Sequence, residues 1–331
     1  MTDPTVLTIV LNWRTAPMTL RAARAALAAM EGIPGALTVV DNDSGDGSFE
    51  MLSAALADAP RARVIRAPSN GGFGAGNNFG IRAGLPDGRA PDYVYILNSD
   101  AFPAPDAIRR LRDHLEAHPR TAFAGSYIHG PEGEPHTTLF RFPTIAGELE
   151  GAARFGPLSR LLRGAAVPLP IPDRSRPVDW VAGASLMMRR AALDRIGLFD
   201  EAFFLYYEET DLCLRARRAG WSVDYVRESE VMHIGSVSTG LKTARRMPAY
   251  WFDSRMRYFV KNHGRAYAAA ATGARALGCA IRRARVAVQG ADTGDPPHFL
   301  KDLLRHAAAS VAGAAWPGRA PVRGAAAPGK G

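Results

Sequence analysis

The sequence predicts an α/β fold: a mostly parallel sheet with flanking helices, followed by a basic helical extension. Three observations predict it. Over the first 125 residues, short apolar runs alternate with stretches of helical period, the pattern of strand–helix–strand units. The 331 residues, 47% hydrophobic and 22% charged, have an ordinary globular composition and suffice for one large domain or two modest ones. Charge is uneven: residues 265–331 hold ten Lys and Arg against three Asp, so +7 of the net +9 lies in the last fifth.

Taken in order, the apolar runs at 6–11, 37–40, 63–66 and 93–97 read as buried strands. Helical stretches lie between them, near 17–30, 48–57, 75–84 and 105–117. In the last, Ile108, Leu111 and Leu115 form one face and Pro105 suits the first turn. Residues 130–178, rich in Pro, Gly and Arg, read as an irregular excursion across the sheet. A strand over 178–189, a helix at 191–195, an acidic helix start at 208 and short strands at 223–226 and 230–233 follow. From 250 the chain is helical and basic, and from Trp316 an Ala/Gly/Pro-rich tail is expected to be disordered.

Several function classes drop out. Cys213 and Cys279 are the only cysteines, so neither a disulfide framework nor a Cys/His zinc site is expected. The first lysine is Lys242, which removes Schiff-base lysine chemistry and a Walker phosphate loop from the first 241 residues. The start, Met-Thr-Asp-Pro, lacks signal-peptide character, and no charge-free apolar run reaches ~18 residues. A cytoplasmic protein that does not cross the bilayer is expected. The uneven charge argues against a nucleic-acid partner. The 265–288 segment, with Arg275, Arg282, Arg283 and Arg285, reads as a helix on the inner, anionic membrane face or as one packed back on the body.

Open α/β sheets bind ligands beyond the carboxyl ends of their strands. The first strand there delivers Asn12-Trp13-Arg14, and the second delivers "VVDNDSGDGS" with Asp41 at its tip. The third leads into "NGGFGAGNNFG", and the fourth, "YVYILNSDAFP", ends on Asn98 and Asp100. The glycine run fails the G-x-G-x-x-G test: from Gly72 the third place is Asn77, and from Gly74 it is Phe79. Nicotinamide or flavin binding is therefore not expected. The run reads as a loop whose bare backbone can approach a phosphate or sugar, with Asn77 and Asn78 opening a helix. Asp100, at a buried strand's end, calls for a cation, and His233 could share it.

"FFLYYEETDLCLRARRAGW", residues 203–221, sets Glu208, Glu209 and Asp211 behind an aromatic run at a helix start. A helix dipole favours acids there and would keep them anionic.

The ordered series "VVDNDSGDGS", "NGGFGAGNNFG", "LNSD", "WVAGASLMMRRAALDRIGLFDEAFFLYYEETDLCLR" and "HIGSVSTG" resembles a family 2 glycosyltransferase, in its rhamnosyltransferase-like group. The resemblance covers residues 5–240. It implies a GT-A fold, a divalent metal (Mn²⁺ or Mg²⁺), and transfer from a nucleotide-sugar donor with inversion. The acceptor it implies is a glycan or polyprenyl-linked glycolipid of bacterial surface polysaccharide synthesis. By position, Asn12, Asp41, Gly74, Asn77 and Asn98 would line the nucleotide-sugar site. Asp100 and His233 would serve the metal, and Trp180 and Gly183 the acceptor. Glu209, where the family usually has Asp, or its neighbour Glu208, would be the general base, with Asp211 anchoring the helix. The implied organisation is a catalytic domain over 1–249, a basic helical extension over 250–315 and a tail over 316–331.

Rival readings fit less well. A glycoside hydrolase needs carboxylates ~5–9.5 Å apart across one bond, which adjacent glutamates do not supply. A sugar nucleotidyltransferase wants a basic residue near its glycine loop, and Arg82 lies well downstream. A non-catalytic nucleotide-sugar-binding protein would have no use for acid, metal and base positions together.

Overall fold

The structure, a computed structural model, describes residues 3–235, 246–290 and 292–311. The expected tail at 316–331 and the end of the "HIGSVSTG" motif lie outside them. The alternation at the N-terminus becomes β1 (Val6–Asn12), α1 (Ala16–Ala29), β2 (Gly35–Asp41), α2 (Ser48–Ala55), β3 (Ala62–Arg66), α3 (Gly72–Ala83) and β4 (Tyr93–Asn98). Next come β5 (Ala101–Pro103), α4 (Ala107–Ala117) and β6 (Thr121–His129). The stretch expected to be irregular carries β7 (Pro135–His136), β8 (Leu139–Phe140), α5 (Ile145–Ala153), α6 (Gly156–Leu161) and β9 (Arg176–Val178). The remainder is β10 (Trp180–Val181), β11 (Ser185–Arg189), α7 (Arg190–Ile196), α8 (Glu208–Arg218), β12 (Ser222–His233), α9 (Ala249–His263), α10 (Arg265–Gln289) and α11 (Phe299–Val311).

The main sheet runs β3-β2-β1-β4-β11-β6-β12-β5. The pairs β3–β2, β2–β1, β1–β4 and β6–β12 are parallel. Strand β11 is antiparallel to both β4 and β6, so it is inserted reversed in the middle of the sheet, and the edge strand β5 is reversed against β12. Alternation along the strands feeds two cores. Val6, Val10, Leu37, Val39 and Tyr95 face α1 and α4, while Leu7, Ile9, Val40, Val94 and Ile96 face α3, α7 and α8.

Three sequence expectations need correcting. The single strand at 178–189 is broken into three, which pair with different partners: β9 with β12, β10 with β8, and β11 with β4 and β6. The two strands at 223–226 and 230–233 are one, β12, with a register shift between Val226 and Glu230. The glycine run is the opening of α3 itself, so Asn77 and Asn78 sit within the helix. Its glycines let α3 pack closely. A Cβ on Gly76 would stand 2.5 Å from Leu11 Cδ1, and one on Gly80 would stand 3.0 Å from Ile9 Cδ1. Gly72, at φ +88°, lies directly under the Phe204 carbonyl, which a Cβ there would overlap.

Helices α5, α9, α10 and α11 add a layer beside the sheet, organised by a buried ion pair. Glu148 Oε2 accepts from Arg255 Nε at 2.9 Å and Nη2 at 2.6 Å, and from Arg275 Nη1 at 3.1 Å. Arg255 is 1% exposed and Glu148 4%. Breaking such a pair leaves a buried charge uncompensated, at about 3–5 kcal/mol. Of the two readings of α10, packing back on the body accounts for two of its arginines: Arg275 is committed to Glu148, and Arg282, 7% exposed, to Asp295 at 2.9 Å.

The close approach at Gly72 makes a prediction. Gly72→Ala combines a left-handed backbone with overlap of a carbonyl and should cost about 3 kcal/mol or more. Gly88→Ala, at φ +82° with nothing within 4 Å of its added Cβ, should cost only about 1–2 kcal/mol. Urea unfolding of both variants measures the difference; equal losses would mean that the Phe204 contact is not tight.

Candidate active site

The parallel register places Asn12 beside Asp41 at the tips of β1 and β2. Asn12 Nδ2 donates to Asp41 Oδ1 at 2.8 Å, and Ser44 Oγ donates to the same oxygen at 2.5 Å. The Ser44 amide donates to Oδ2 at 3.2 Å, and Thr19 Oγ1 holds Asn12 Oδ1 at 2.7 Å. Asp41 is 1% exposed. It therefore shapes the 42–48 turn rather than presenting a bare carboxylate. Two exposed cations lie nearby: Arg66, with Nε 4.0 Å from Asp41 Oδ2, and Arg14, at φ +57°, whose amide and Nε both bond Ser44 at 3.0 Å.

Asn98, Asp100 and His233 are brought together by strand pairing. Asp100 precedes β5, and β5 runs antiparallel to β12 with Ala101 opposite His233. His233 Nε2 lies 3.0 Å from Asp100 Oδ1 and 3.3 Å from Asn98 Nδ2. The His136 ring, delivered by β7, stands edge-on to His233 at 6.3 Å, a neighbour the sequence did not reveal.

Glu208 and Glu209 begin α8. Glu209 Oε1 accepts from the Gly183 amide at 3.3 Å. The next residue's carbonyl, on Ala184, accepts from the Asn98 amide at 3.0 Å. Two successive residues thus join the acid end of α8 to the Asp100–His233 end of the sheet. Trp180 lies on the same connection, with its ring stacked on Phe140 at 4.1 Å and its indole N–H donating to the Arg141 carbonyl at 2.9 Å. The glycine helix does not reach outward: a Cβ added to Gly74 would stand 3.0 Å from Phe199 Cβ and 3.7 Å from Glu208 Cβ. Asn77, 1% exposed, donates to the Phe73 carbonyl at 2.9 Å. Of the predicted site residues, Glu209, Gly183, Asn98, Asp100 and His233 form one connected group. Asn12 and Asp41 form a second, Gly74 lies under Glu208, and Asn77 bonds only within α3.

The loop before the acids is clamped along its length. Asn78 bonds both the carbonyl and the amide of Phe199, and the Phe73 amide donates to Phe204. Ser254 donates to the Leu205 carbonyl. Burial works against the charge on Asp200, but hydrogen bonds from Lys261 and Arg257 outweigh it and hold its pKa at about 2. Asp211, fully buried, takes Arg215, Lys261 and Asn262, which is the anchoring role expected of it. Held this way, Tyr206 and Tyr207 adopt φ of +73° and +69°. Two successive non-glycine residues there cost about 1–3 kcal/mol each, a strain that clusters at functional sites.

The electrostatics correct one expectation. Burial, not the helix start, sets the direction of the shift on both acids. Burial pushes the Glu208 carboxyl well up, with the Glu209 charge adding to it, and burial also pushes Glu209 up. Glu208 Oε2 and Glu209 Oε2 are buried without a hydrogen-bond partner.

A mixed sheet with polar turns at its strand tips, helices on both faces and an acid pair opening α8 has the architecture of a GT-A glycosyltransferase. The backbone is similar to that of mannosyltransferase PcManGT from Pyrobaculum calidifontis, solved with GDP-Man and Mn²⁺. The TM-score is 0.53 at 14% identity, over 94% of this chain and 88% of that one. The family model for glycosyltransferase like family 2 matches residues 4–267, and the chain belongs to that family. It is 31% identical over 227 residues to N-acetylglucosaminyl-diphospho-decaprenol L-rhamnosyltransferase of Mycobacterium tuberculosis, spanning 66% of this chain and 72% of that protein. It is 28% identical over 228 residues to the low-salt glycan biosynthesis hexosyltransferase Agl10 of Haloferax volcanii, spanning 68% and 66%.

The raised Glu208 pKa carries a stability consequence. For an acid with a raised folded-state pKa, the native state holds the extra proton, so stability is full below 4.5 and is lost as pH rises through the folded value. Glu208→Gln removes that loss. At pH 8 its Tm should exceed that of the wild type by about 2–4 °C for each kcal/mol recovered, with no gain at pH 4. A gain that is the same at both pH values would contradict the buried-proton account.

Proposed function

We propose that this glycosyltransferase moves a hexose or deoxyhexose from a nucleoside diphosphate to a hydroxyl of a glycan or polyprenyl-linked glycolipid, with inversion. The observation that carries the reading is the Gly183–Ala184 link, which ties a candidate base, Glu209, to the Asp100–His233 pair. In support, the Mycobacterium tuberculosis relative is named for a decaprenol-linked acceptor. Residues 1–249 would do the chemistry, and 250–315 would brace the acid-bearing loop from behind.

The donor set fits a divalent cation shared with substrate. Asp100 offers a nearly buried carboxylate and His233 an imidazole, 4% and 17% exposed at the side chain. No group of three or more His, Cys, Asp or Glu that could hold an ion occurs among the described residues. Mg²⁺ sites of this kind use one or two carboxylates and let phosphate oxygens and water complete the shell. A bound Mn²⁺ or Mg²⁺ would neutralise charge on the leaving diphosphate.

The chain's own residues supply the rest. Asn12, Asp41 and Ser44 fix the turn that would receive the base and ribose. Gly183 fixes Glu209 through Oε1, leaving Oε2 to accept the acceptor hydroxyl's proton as that oxygen attacks the anomeric carbon from the side opposite the diphosphate. The raised pKa makes Glu209 a stronger base than a free glutamate, provided the pH lies above that value. Trp180, stacked on Phe140, offers an edge against which a sugar could lie.

Two outcomes are expected. Glu209→Gln should bind nucleoside diphosphate normally and lose ~10²-fold or more in kcat, whereas Glu208→Gln should keep most turnover. Asp100→Asn should weaken Mn²⁺-dependent nucleoside diphosphate binding, read by calorimetry with and without metal. Tight, metal-enhanced binding by Asp100→Asn would remove Asp100 from the cation site.

A further inference from the structure

Five large apolar side chains stand exposed among the described residues: Phe155, Leu161, Leu277, Val288 and Leu304. All lie on the helical layer, at α6, α10 and α11, and none on the sheet or its flanking helices. Leu161 and Val288 are 79% and 91% exposed. Isolated apolar residues need no explanation, but a set confined to one layer and rimmed by charge does.

The rim is basic. Arg154, Arg160 and Arg163 surround α6, and Arg283, Lys301 and Arg305 project from α10 and α11, all exposed. None of the six forms an ion pair with a described residue, in contrast to Arg275 and Arg282 on the same layer. Residues 154–165 and 265–290 contain no acid. The pieces adjoin: Gly278 of α10 packs closely on Ala152 and the Leu149 carbonyl of α5, the helix that runs into Phe155 and α6. Leu303 and Phe299 of α11 join the same cluster.

We infer that this face, with α6 as its most exposed part, is the surface by which the enzyme docks on an anionic lipid bilayer. Exposed leucine, valine and phenylalanine enter the headgroup region while unpaired arginines meet lipid phosphates. A second copy of this chain is a poor occupant, since two such faces would set like charges together. The face also continues from the acceptor side of the site. The Phe140 ring that stacks on Trp180 lies just before α5, and α5 leads into α6. The inference deepens the lipid-linked acceptor reading and takes its purpose from it, but its test requires no transfer.

The experiment is co-sedimentation of the full chain with phosphatidylcholine–phosphatidylglycerol vesicles at low and high salt, with nucleoside diphosphate binding measured in parallel. The wild type should bind these vesicles at low salt, leave them at high salt, and ignore pure phosphatidylcholine. Arg160→Glu with Arg163→Glu should lower vesicle partitioning about ten-fold or more. Leu161→Asp with Val288→Asp should do likewise. Arg24→Glu with Arg195→Glu, exposed elsewhere and making the same change in net charge, should bind as the wild type does. All variants should retain nucleoside diphosphate binding, so failure here is separable from failure of the transferase reading. Absence of vesicle binding by the wild type, or equal loss in both charge-reversal pairs, would overturn the docking face. So would a concentration-dependent dimer, seen by sedimentation velocity, that Leu161→Asp disrupts.

Discussion

The backbone of the active-site loop rests on a glycine. At Gly72 the opening of α3 passes so close under the Phe204 carbonyl that no side chain fits, and the adjacent Phe73 amide donates to that carbonyl at 2.9 Å. With Asn78 holding Phe199 and α9 holding Leu205, the loop has no slack, and Tyr206 and Tyr207 are driven into left-handed backbone. That turn delivers Glu208 inward against Gly74 and Glu209 sideways to Gly183. The strain of two such residues is a few kcal/mol. It persists because ion pairs at Asp200 and Asp211, together with the packed α9, fix both ends of the segment.

Burying two adjacent carboxyls is expensive, and their chemistry explains why a fold would do it. In water a glutamate is a weak base; in a desolvated site its proton affinity rises toward the pH at which a sugar hydroxyl must be activated. Glu208, deeper and more strongly raised, holds its proton over a wider pH range and so keeps a second negative charge away from Glu209. The pair therefore titrates in sequence. Glu209, the one with a backbone amide on its other oxygen, is the less strongly raised member.

Much of this was legible in the sequence, for identifiable reasons. Continuous apolar runs and period-3.6 helices marked the N-terminal half, because each strand feeds two cores. The acids, Asp100 and His233 stood out as polar residues at the ends of apolar runs. What stayed hidden depends on long-range register. A cation shared by Asp100 and His233 is expected from the sequence, but the β5–β12 pairing that sets them side by side and the His136 ring next to them are encoded by no local pattern. The glycine run read as a ligand loop because glycine spacing looks alike whether a phosphate or another backbone comes close; here Phe204, Leu11 and Ile9 do so. Likewise the arginines of α10 looked equivalent in sequence, yet Arg275 is committed to Glu148 and Arg283 is exposed.

The central claim is that Glu209, with its proton affinity raised by burial, is the group that must lose a proton before transfer occurs. Single-turnover transfer measured against pH tests it most directly, in wild type, Glu208→Gln and Glu209→Gln. The account predicts an acid limb above the ordinary glutamate value of 4.5 in the wild type. That limb should be retained in Glu208→Gln, whose neutral side chain mimics the protonated partner, and be absent from the residual rate of Glu209→Gln. A limb that persists in Glu209→Gln and vanishes in Glu208→Gln would contradict it.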